Sequence, residues 1–352
     1  MSRASRAAMW FSALLCVVAS ACAPVVKPAG PALVEPLVNA DTIVADDGAT
    51  LPLRSWLPDA GQPSAVVLGV HGFNDYSNFF DAAATYLAAR GIASYSYDQR
   101  GFGRAAHRGV WPGTNTLARD LGSAVGALRR RHPGVPLYVL GMSMGGAVAL
   151  VAMAAPDPPA VDGLILAAPA VWARETMPWY QTAALWTFAH TIPWKTATGR
   201  GMGIKPSDNI EMLRALGRDP LVIKRTRIDS VYGLVDLMDA ALAAAPRIDT
   251  RTLILYGERD ELVPSEAVQR LLARLPAGSR DQRRVAVYSD GYHMLLRDLQ
   301  AETVWNDVAA WIADDRQSLP SGADSSSATG GACRDRNVCA IVPARGTRSS
   351  AG

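Results

Sequence analysis

The chain has 352 residues, of which 49% are hydrophobic and 19% are charged, a composition typical of a globular protein that buries a large core. Its 35 basic and 32 acidic side chains nearly balance, and Arg3 and Arg6 lie in a segment that we expect to be removed. This balance gives no electrostatic basis for binding nucleic acid or another polyanion. No spacing of Cys and His resembles a metal site, so we expect neither a metal nor a cofactor.

The first 21 residues resemble an export signal. Arg3 and Arg6 precede an apolar run, Ala7–Val18, that is shorter than the about 20 residues a membrane-spanning helix needs. Ala19-Ser20-Ala21-Cys22 then resembles the cleavage site of a bacterial lipoprotein, in which Cys22 is acylated and becomes the new N-terminus. An ordinary cleaved signal peptide is the alternative. The lipoprotein interpretation predicts an exported protein held at the cell-envelope membrane, on its periplasmic or surface side.

Residues 22–39 are rich in proline and are interpreted as a tether. From residue 40 to 316, short apolar runs alternate with helical stretches. The strand candidates are Ala65–Val70, Ile92–Tyr97, Leu137–Leu140, Leu164–Ala167, Thr252–Tyr256 and Val285–Tyr288. The helix candidates are Phe80–Arg90, Asn115–Arg131, Gly145–Ala155, Ser265–Leu275 and Ala301–Ala313. This alternation predicts an α/β fold, in which a mostly parallel sheet is covered by helices on both faces.

The stretch from about residue 171 to 246 breaks the alternation, because it contains no clear strand. It carries four of the nine tryptophans, namely Trp172, Trp179, Trp186 and Trp194. We interpret it as a helical cap over the carboxyl edge of the sheet, with the tryptophans as an apolar wall for substrate. The alternative is that these side chains only pack the insertion onto the main domain.

Residues 317–352 contain few large apolar side chains and are expected to be disordered. This tail holds Cys333 and Cys339, which remain as a pair after the signal is removed and Cys22 is acylated. Whether they form a disulfide in an oxidising compartment is left open.

The segment Gly141-Met142-Ser143-Met144-Gly145 matches the pattern G-x-S-x-G between a strand candidate and a helix candidate. A strand–turn–helix elbow lifts a serine hydroxyl clear of the sheet, where a base can activate it, and glycines on both sides allow chain segments to approach closely. The pattern therefore predicts Ser143 as a nucleophile. The context makes an incidental serine in a glycine-rich turn the weaker interpretation.

A nucleophile that attacks a carbonyl needs two hydrogen-bond donors for the developing oxyanion. The backbone N–H of Met144 follows the nucleophile at the start of its helix. The N–H of Phe73 lies in His71-Gly72-Phe73, directly after the strand candidate Ala65–Val70, where this architecture supplies its second donor. We do not assign His71 as the base, because it precedes the nucleophile and belongs to this turn.

The remaining catalytic groups are expected late in the chain, in the order serine, acid, histidine. Asp260 ends the turn Gly257-Glu258-Arg259-Asp260, and His293 follows the last strand candidate. In such a triad His293 takes the proton of Ser143, while Asp260 fixes the imidazole tautomer and stabilises its charged form. Glu258 and Glu261 are the alternative acids.

With these residues the chain, from about residue 41 to 313, resembles the monoacylglycerol lipase and lysophospholipase branch of the α/β-hydrolases, of the serine aminopeptidase S33 type. Further motifs that carry the resemblance are Asp98-Gln99-Arg100-Gly101-Phe102-Gly103, Asp208-Asn209, Asp219-Pro220-Leu221 and Tyr292-His293. One departure is Met142, where this branch usually has His. The resemblance implies cofactor-free hydrolysis of carboxylic esters, monoacylglycerol- or lysophospholipid-like, under a cap that admits an acyl chain.

Two other functions remain open. The same triad serves peptidases and thioesterases, and only substrates distinguish them. Epoxide and haloalkane hydrolysis are disfavoured because they need a carboxylate in place of Ser143. A non-catalytic envelope lipoprotein that reuses the fold to bind a ligand is the alternative outside the enzymes, although all three triad residues are present.

Overall fold

The structure, a computed structural model, describes residues 23–199, 201, 203–277 and 282–324. The predicted signal, Cys22, Cys333 and Cys339 lie outside these residues. The strands are β1 (Leu37–Val38), β2 (Thr42–Val44), β3 (Thr50–Trp56), β4 (Ala65–Val70), β5 (Ile92–Tyr97), β6 (Leu137–Met142), β7 (Gly163–Ala167), β8 (Thr196–Ala197), β9 (Thr226–Arg227), β10 (Thr252–Gly257) and β11 (Arg283–Tyr288). The α-helices are α1 (Asp81–Ala88), α2 (Thr114–Arg131), α3 (Met144–Met153), α4 (Trp179–Thr191), α5 (Ile210–Arg218), α6 (Ile228–Ala244), α7 (Ser265–Arg274) and α8 (Ala301–Ala313).

Nine strands form one sheet in the order β1-β2-β3-β5-β4-β6-β7-β10-β11. The six strand candidates correspond to its parallel part, β5-β4-β6-β7-β10-β11. All residues of β4, β5, β6, β7 and β10 are buried, which explains their continuous apolar sequences. The predicted α/β fold is therefore confirmed.

Helices cover both faces of the sheet. Alternate residues of β4 enter opposite cores: Val66 and Leu68 pack with α2, α3, α6 and α7, whereas Val67 packs with α1 and α8. Since both faces are covered, the carboxyl ends of the parallel strands form one edge at which loops can carry chemistry.

Strands β1–β3 extend the sheet in an antiparallel manner and were not predicted. β3 pairs with β5, with Leu53 opposite Tyr97. Its buried residues, Leu51 and Leu53, alternate with Pro52 and Arg54. A short, half-buried strand of this kind has no continuous apolar run, and Pro52 further weakens its signal.

The cap is smaller than the predicted residues 171–246. Helix α6 belongs to the main domain, because Val235, Leu237 and Ala241 are buried in the same core as the sheet. The cap lies between β7 and α6 in the chain. It consists of α4, α5 and the paired strands β8 and β9, each of which has two residues. Periodicity shows that a segment is helical, but it does not show which layer its apolar face contacts.

Two other domain boundaries also differ from the predictions. Residues 23–29 are not a free tether: Lys27 N–H donates to the carbonyl of Trp111, and Ala29 N–H donates to the hydroxyl of Thr116. The ordered chain also continues past residue 316, since Leu319 is buried and Asp324 forms an ion pair with Arg284 at 2.8 Å. Among the described helices, none has the length and apolarity needed to cross a membrane.

Candidate active site

Ser143 lies between β6 and α3 in a conformation that few L-residues adopt. Its φ is 51° and its ψ is −115°, a strained combination for a residue with a side chain. The conformation is held from both sides, because Ser143 N–H donates to the carbonyl of Ala167 at 2.9 Å and its own carbonyl accepts from Gly146 and Ala170. The elbow therefore has a fixed shape with the hydroxyl at its tip.

The two glycines of G-x-S-x-G are required by close approach of the backbone. A Cβ on Gly145 would lie 2.0 Å from the carbonyl oxygen of Val70, and one on Gly141 would lie 2.5 Å from the carbonyl oxygen of Gly145. No real Cβ tolerates such distances. These positions need glycine so that α3 can pack tightly against the carboxyl ends of β4 and β6.

The structure brings the three predicted triad residues together. The hydroxyl of Ser143 lies 2.9 Å from Nε2 of His293, and Nδ1 of His293 lies 2.8 Å from Oδ2 of Asp260. Because an ionised carboxylate only accepts hydrogen bonds, Nδ1 carries the proton and Nε2 is free to accept from the serine hydroxyl. The imidazole thus has the tautomer that a general base for Ser143 needs.

The carboxylate beside His293 belongs to Asp260. Its second oxygen, Oδ1, accepts from the N–H groups of Leu262 and Val263 at 2.8 and 2.9 Å. Glu261, one of the alternative acids, instead accepts from the N–H of Lys205. Both ring nitrogens of His293 are already engaged by Ser143 and Asp260, so the orienting position is filled.

The two predicted oxyanion donors lie next to the elbow. Phe73 follows Gly72, at which a Cβ would lie 3.4 Å from Cβ of Ser143, and Met144 is the first residue of α3. Among the backbone hydrogen bonds of the described residues, none has the N–H of Phe73 or Met144 as its donor. A helix N-terminus also favours negative charge, so this position suits an oxyanion.

His71 holds the turn that precedes Phe73. Its Nε2 accepts from the backbone N–H of Gln99 at 3.0 Å, so its proton lies on Nδ1, which donates to the carbonyl of Gly72 at 2.8 Å. Complete burial lowers the pKa of His71, which keeps the ring neutral. The side-chain amide of Gln99 donates to the carbonyl of His71. The sequence analysis did not predict this role of Gln99, although Gln99 lies in the motif that begins at Asp98 and ends at Gly103.

A cavity of about 440 Å³ opens beside Ser143 and His293, within the usual size range of small-molecule sites. Four of its apolar lining residues, Val231, Leu234, Val235 and Met238, come from α6. Of the four cap tryptophans only Trp172 lines this cavity, whereas Trp179, Trp186 and Trp194 are exposed to solvent. The predicted tryptophan wall is thus wrong for three of its four members, because their side chains are exposed to solvent and do not line the cavity.

The same cavity is also lined by polar residues that the sequence did not reveal. Asn74, Asp75 and Arg297 line it, and the guanidinium of Arg297 forms an ion pair with the carboxylate of Asp75. Both side chains are largely buried. The lining of the cavity therefore combines apolar side chains with charged and hydrogen-bonding groups, and it includes Ser143.

The described residues contain no group of three His, Cys, Asp or Glu side chains that is arranged to hold a metal ion.

Known proteins resemble this chain in sequence over most of its length. The Hydrolase_4 family model (serine aminopeptidase, S33) matches residues 61–300. A monoglyceride lipase of Mus musculus is 29% identical over 279 residues, which cover 77% of this chain and 89% of the relative. A monoacylglycerol lipase of Mycolicibacterium smegmatis is 26% identical over 277 residues, covering 75% of this chain and 93% of the relative.

Solved structures share the fold. A soluble variant of monoglyceride lipase from Saccharomyces cerevisiae, in complex with a substrate analogue, superimposes with a TM-score of 0.65 at 19% identity. The match covers 83% of this chain and 99% of that structure. The family model spans the elbow, the turn at Phe73 and both Asp260 and His293, and the chain therefore belongs to the Hydrolase_4 (serine aminopeptidase, S33) family of α/β-hydrolases.

Proposed function

We propose that this chain hydrolyses carboxylic esters that carry one long acyl chain, of the monoacylglycerol or lysophospholipid kind, through an acyl-enzyme on Ser143. The chain is a carboxylic ester hydrolase at the level its relatives share, since monoglyceride and monoacylglycerol lipases are among those most similar to it. The observation that carries the proposal is the hydrogen-bonded series Ser143–His293–Asp260, whose serine and histidine line a cavity that has both apolar and polar side chains.

The reaction has two halves. In the first, Oγ of Ser143 attacks the ester carbonyl carbon while its proton passes to Nε2 of His293. The oxyanion is stabilised by the N–H groups of Phe73 and Met144. The bond from the carbonyl carbon to the alcohol oxygen then breaks, and His293 returns the proton to that oxygen.

In the second half, water takes the place of the alcohol. His293 accepts a proton from the water, whose oxygen attacks the acyl carbon, and the bond to Ser143 breaks as the serine recovers its proton. Asp260 stays ionised throughout and stabilises the imidazolium that forms in each half.

The dimensions and polarity of the cavity support a lipid ester as the substrate. Val235, Met238 and their neighbours on α6 offer an apolar channel for an acyl chain. Asn74, Asp75 and Arg297 offer donors and acceptors to a polar alcohol. A substrate with one acyl chain and one polar head could use both kinds of lining group with its ester at Ser143.

Hydrolysis of monoacylglycerols of increasing chain length, with lysophosphatidylcholine in parallel, tests the substrate. We expect Ser143→Ala to lose nearly all activity and also to lose labelling by a fluorophosphonate, whereas Ser265→Ala serves as a matched control on α7 and keeps both. Retention of most activity in Ser143→Ala would contradict the mechanism. A folded wild type that the probe does not label would instead support a non-catalytic envelope lipoprotein.

A peptidase is the alternative function, because the matching family is that of the serine aminopeptidases. An aminopeptidase needs a carboxylate free to bind the substrate's ammonium group. Among the described cavity-lining residues the one acid is Asp75, and Arg297 already neutralises it. We therefore expect amino-acid p-nitroanilides to be cleaved at least about a hundredfold more slowly than esters, and the opposite ranking would replace the ester proposal.

We also propose that the protein is exported and anchored in the cell envelope by acylation of Cys22. The support is the sequence around Ala19-Ser20-Ala21-Cys22. Metabolic labelling with a fatty acid tests this: wild type should carry the label and Cys22→Ala should not. Persistence of the label in Cys22→Ala would contradict acylation at this residue.

A further inference from the structure

The loop that carries His293 has no regular secondary structure. Within the described range 282–324, residues 289–299 form neither helix nor strand, so hydrogen bonds along a helix or sheet do not fix the backbone of the catalytic base. A functional side chain on a loop is placed accurately only if its surroundings hold that loop. The contacts of this loop therefore determine where the imidazole of His293 lies.

The backbone at His293 is held on both sides by hydrogen bonds. The N–H of Tyr292 donates to Oδ2 of Asp298 at 2.8 Å. The N–H of Met294 donates to the carbonyl of Pro206 at 3.0 Å. Both neighbours of His293 thus have fixed partners, and one of these partners, Pro206, belongs to the cap segment that precedes α5.

Asp298 is itself tied to the cap. The hydroxyl of Ser207 donates to Oδ1 of Asp298 at 2.6 Å across 91 residues of sequence, and both side chains are buried. Burial raises the pKa of Asp298, and the hydrogen bonds from Ser207 and Tyr292 oppose the rise, because donors favour the ionised form. Each oxygen of this carboxylate therefore has a partner, one in the loop and one in the cap.

Two further hydrogen bonds join the same two segments. Oδ1 of Asp208 accepts from the N–H of Leu299 at 2.9 Å, and the side-chain amide of Asn209 donates to the carbonyl of Arg297 at 3.0 Å. Oδ1 of Asn209 accepts from the N–H of Met212 in the first turn of α5. The motif Asp208-Asn209, to which the triad gives no role, thus fixes the start of α5 against this loop.

We propose that Asp298 and Ser207 are positioning residues for His293. Through them, residues 206–209 of the cap determine where the imidazole lies beside Ser143. Neither of the two is among the described residues that line the cavity, so they act through the backbone of the loop. The inference rests on the proposed function, because it concerns the base of the proposed ester hydrolysis.

Two butyrate esters that differ in their leaving group distinguish a misplaced His293 from a smaller amount of folded enzyme. p-Nitrophenolate leaves without taking up a proton, whereas the alcohol oxygen of ethyl butyrate takes the proton that His293 carries. Asp298→Leu should therefore lower kcat/KM at least about tenfold for p-nitrophenyl butyrate and at least about fiftyfold for ethyl butyrate. A smaller folded fraction lowers both values equally.

Two milder variants complete the test. In Asp298→Asn the amide oxygen can accept from the N–H of Tyr292 and the amide nitrogen can donate to Oγ of Ser207, so kcat/KM should return to within about fivefold of wild type for both esters. Ser207→Ala removes the donor in the cap and leaves the loop sequence unchanged. It should lower kcat/KM for ethyl butyrate about threefold more than for p-nitrophenyl butyrate, and it decides the matter if Asp298→Leu does not fold.

Asp307→Leu and Ser321→Ala are the matched controls. Asp307, on α8, is also a buried carboxylate, and it accepts from the hydroxyl and the N–H of Ser321. Both controls should lower the thermal stability measured by circular dichroism. The ratio of the kcat/KM values for the two esters should stay as in wild type, because neither residue belongs to the loop that carries His293.

An unchanged ratio between the two esters in both Asp298→Leu and Ser207→Ala would overturn the proposal. Equal losses in Asp298→Asn and Asp298→Leu would overturn it as well, because the charge of Asp298 and not its hydrogen bonds would then be responsible. A folded wild type that hydrolyses neither ester would instead contradict the proposed function, and the inference would fall with it.

Discussion

Asp260 and His293 are 33 residues apart and are joined by a hydrogen bond of 2.8 Å between Oδ2 and Nδ1. The other oxygen of Asp260 is held by the N–H groups of Leu262 and Val263. Because both oxygens have fixed partners, the carboxylate cannot rotate, and it fixes the tautomer of His293.

Replacement of Asp260 by Asn should therefore lower kcat by about 10³–10⁴-fold, because an amide can present a donor to Nδ1 and reverse the tautomer. The measurement is the kcat for p-nitrophenyl butyrate, with circular dichroism to verify folding. Glu261→Gln is the matched control, since Glu261 contacts Lys205, and should retain activity within about threefold. A large loss of kcat in Glu261→Gln, with a small loss in Asp260→Asn, would show that Glu261 is the acid of the triad.

Gln99 is expected to act as a positioning residue for the oxyanion turn. Its side-chain amide holds the carbonyl of His71, two residues before Phe73. Gln99→Leu removes this donor and should lower kcat about tenfold or more, with little change in KM, because the donor geometry at Phe73 matters most in the transition state.

Steady-state kinetics on a soluble ester separate the two parameters for Gln99→Leu. Gln300→Leu, at an exposed position, is the control and should behave as wild type. A variant that loses thermal stability but keeps kcat would show that Gln99 supports the fold and not the oxyanion turn.

The acyl-chain preference should follow the volume at Val235. This residue is buried on α6 and lines the cavity, so Val235→Trp should fill part of the cavity. We expect kcat/KM for long-chain monoacylglycerols to fall at least about tenfold relative to butyrate esters. Val235→Ala enlarges the same cavity and should shift the preference toward longer chains. Identical chain-length profiles in both variants would show that the acyl chain does not contact Val235.

Arg100 pairs with two carboxylates, one in the turn between β2 and β3 and the other on α2. It lies 2.7 Å from Asp47 and 2.8 Å from Asp120, and all three side chains are largely buried. Hydrogen bonding to Arg100 holds the pKa of Asp47 well below its ordinary value. Desolvation raises the pKa of Asp120 to about 6 although Arg100 opposes the rise.

Arg100→Met should lower the free energy of unfolding by about 3–5 kcal/mol at pH 8, since both acids then lose their partner. A raised pKa means that the folded state holds a proton on Asp120 more tightly than the unfolded state, so its contribution to stability falls as pH rises from about 4 to about 6. The decrease in the free energy of unfolding caused by Arg100→Met should thus be smaller at pH 5 than at pH 8. Urea unfolding at both pH values measures it. Arg130→Met removes an exposed ion pair with Glu35 and is the control, which should change the free energy of unfolding by less than about 1 kcal/mol at either pH. If the decrease in Arg100→Met did not depend on pH, protonation of Asp120 would not be its cause.

Prediction from sequence succeeded where burial imposes a simple pattern. Ile92–Tyr97 and Ala65–Val70 lie in the interior of the parallel sheet, and their bounds were predicted correctly, because burial on both faces leaves a continuous apolar run. It failed at β3, which is half buried, and at α6, whose apolar residues are indistinguishable from those of a cap helix until the layer they contact is known.

The sequence by itself determined the elbow at Ser143 and the order in which the acid and the base follow it, because these depend on local turns after buried strands. Only the tertiary structure decided that Asp260 lies beside His293, that Arg297 pairs with Asp75 across 222 residues of sequence, and that the α4 tryptophans are exposed. Each of these depends on contacts between segments distant in the chain. Local patterns set the direction of a strand or helix, but the packing of the layers sets which side chains meet and which remain on the surface.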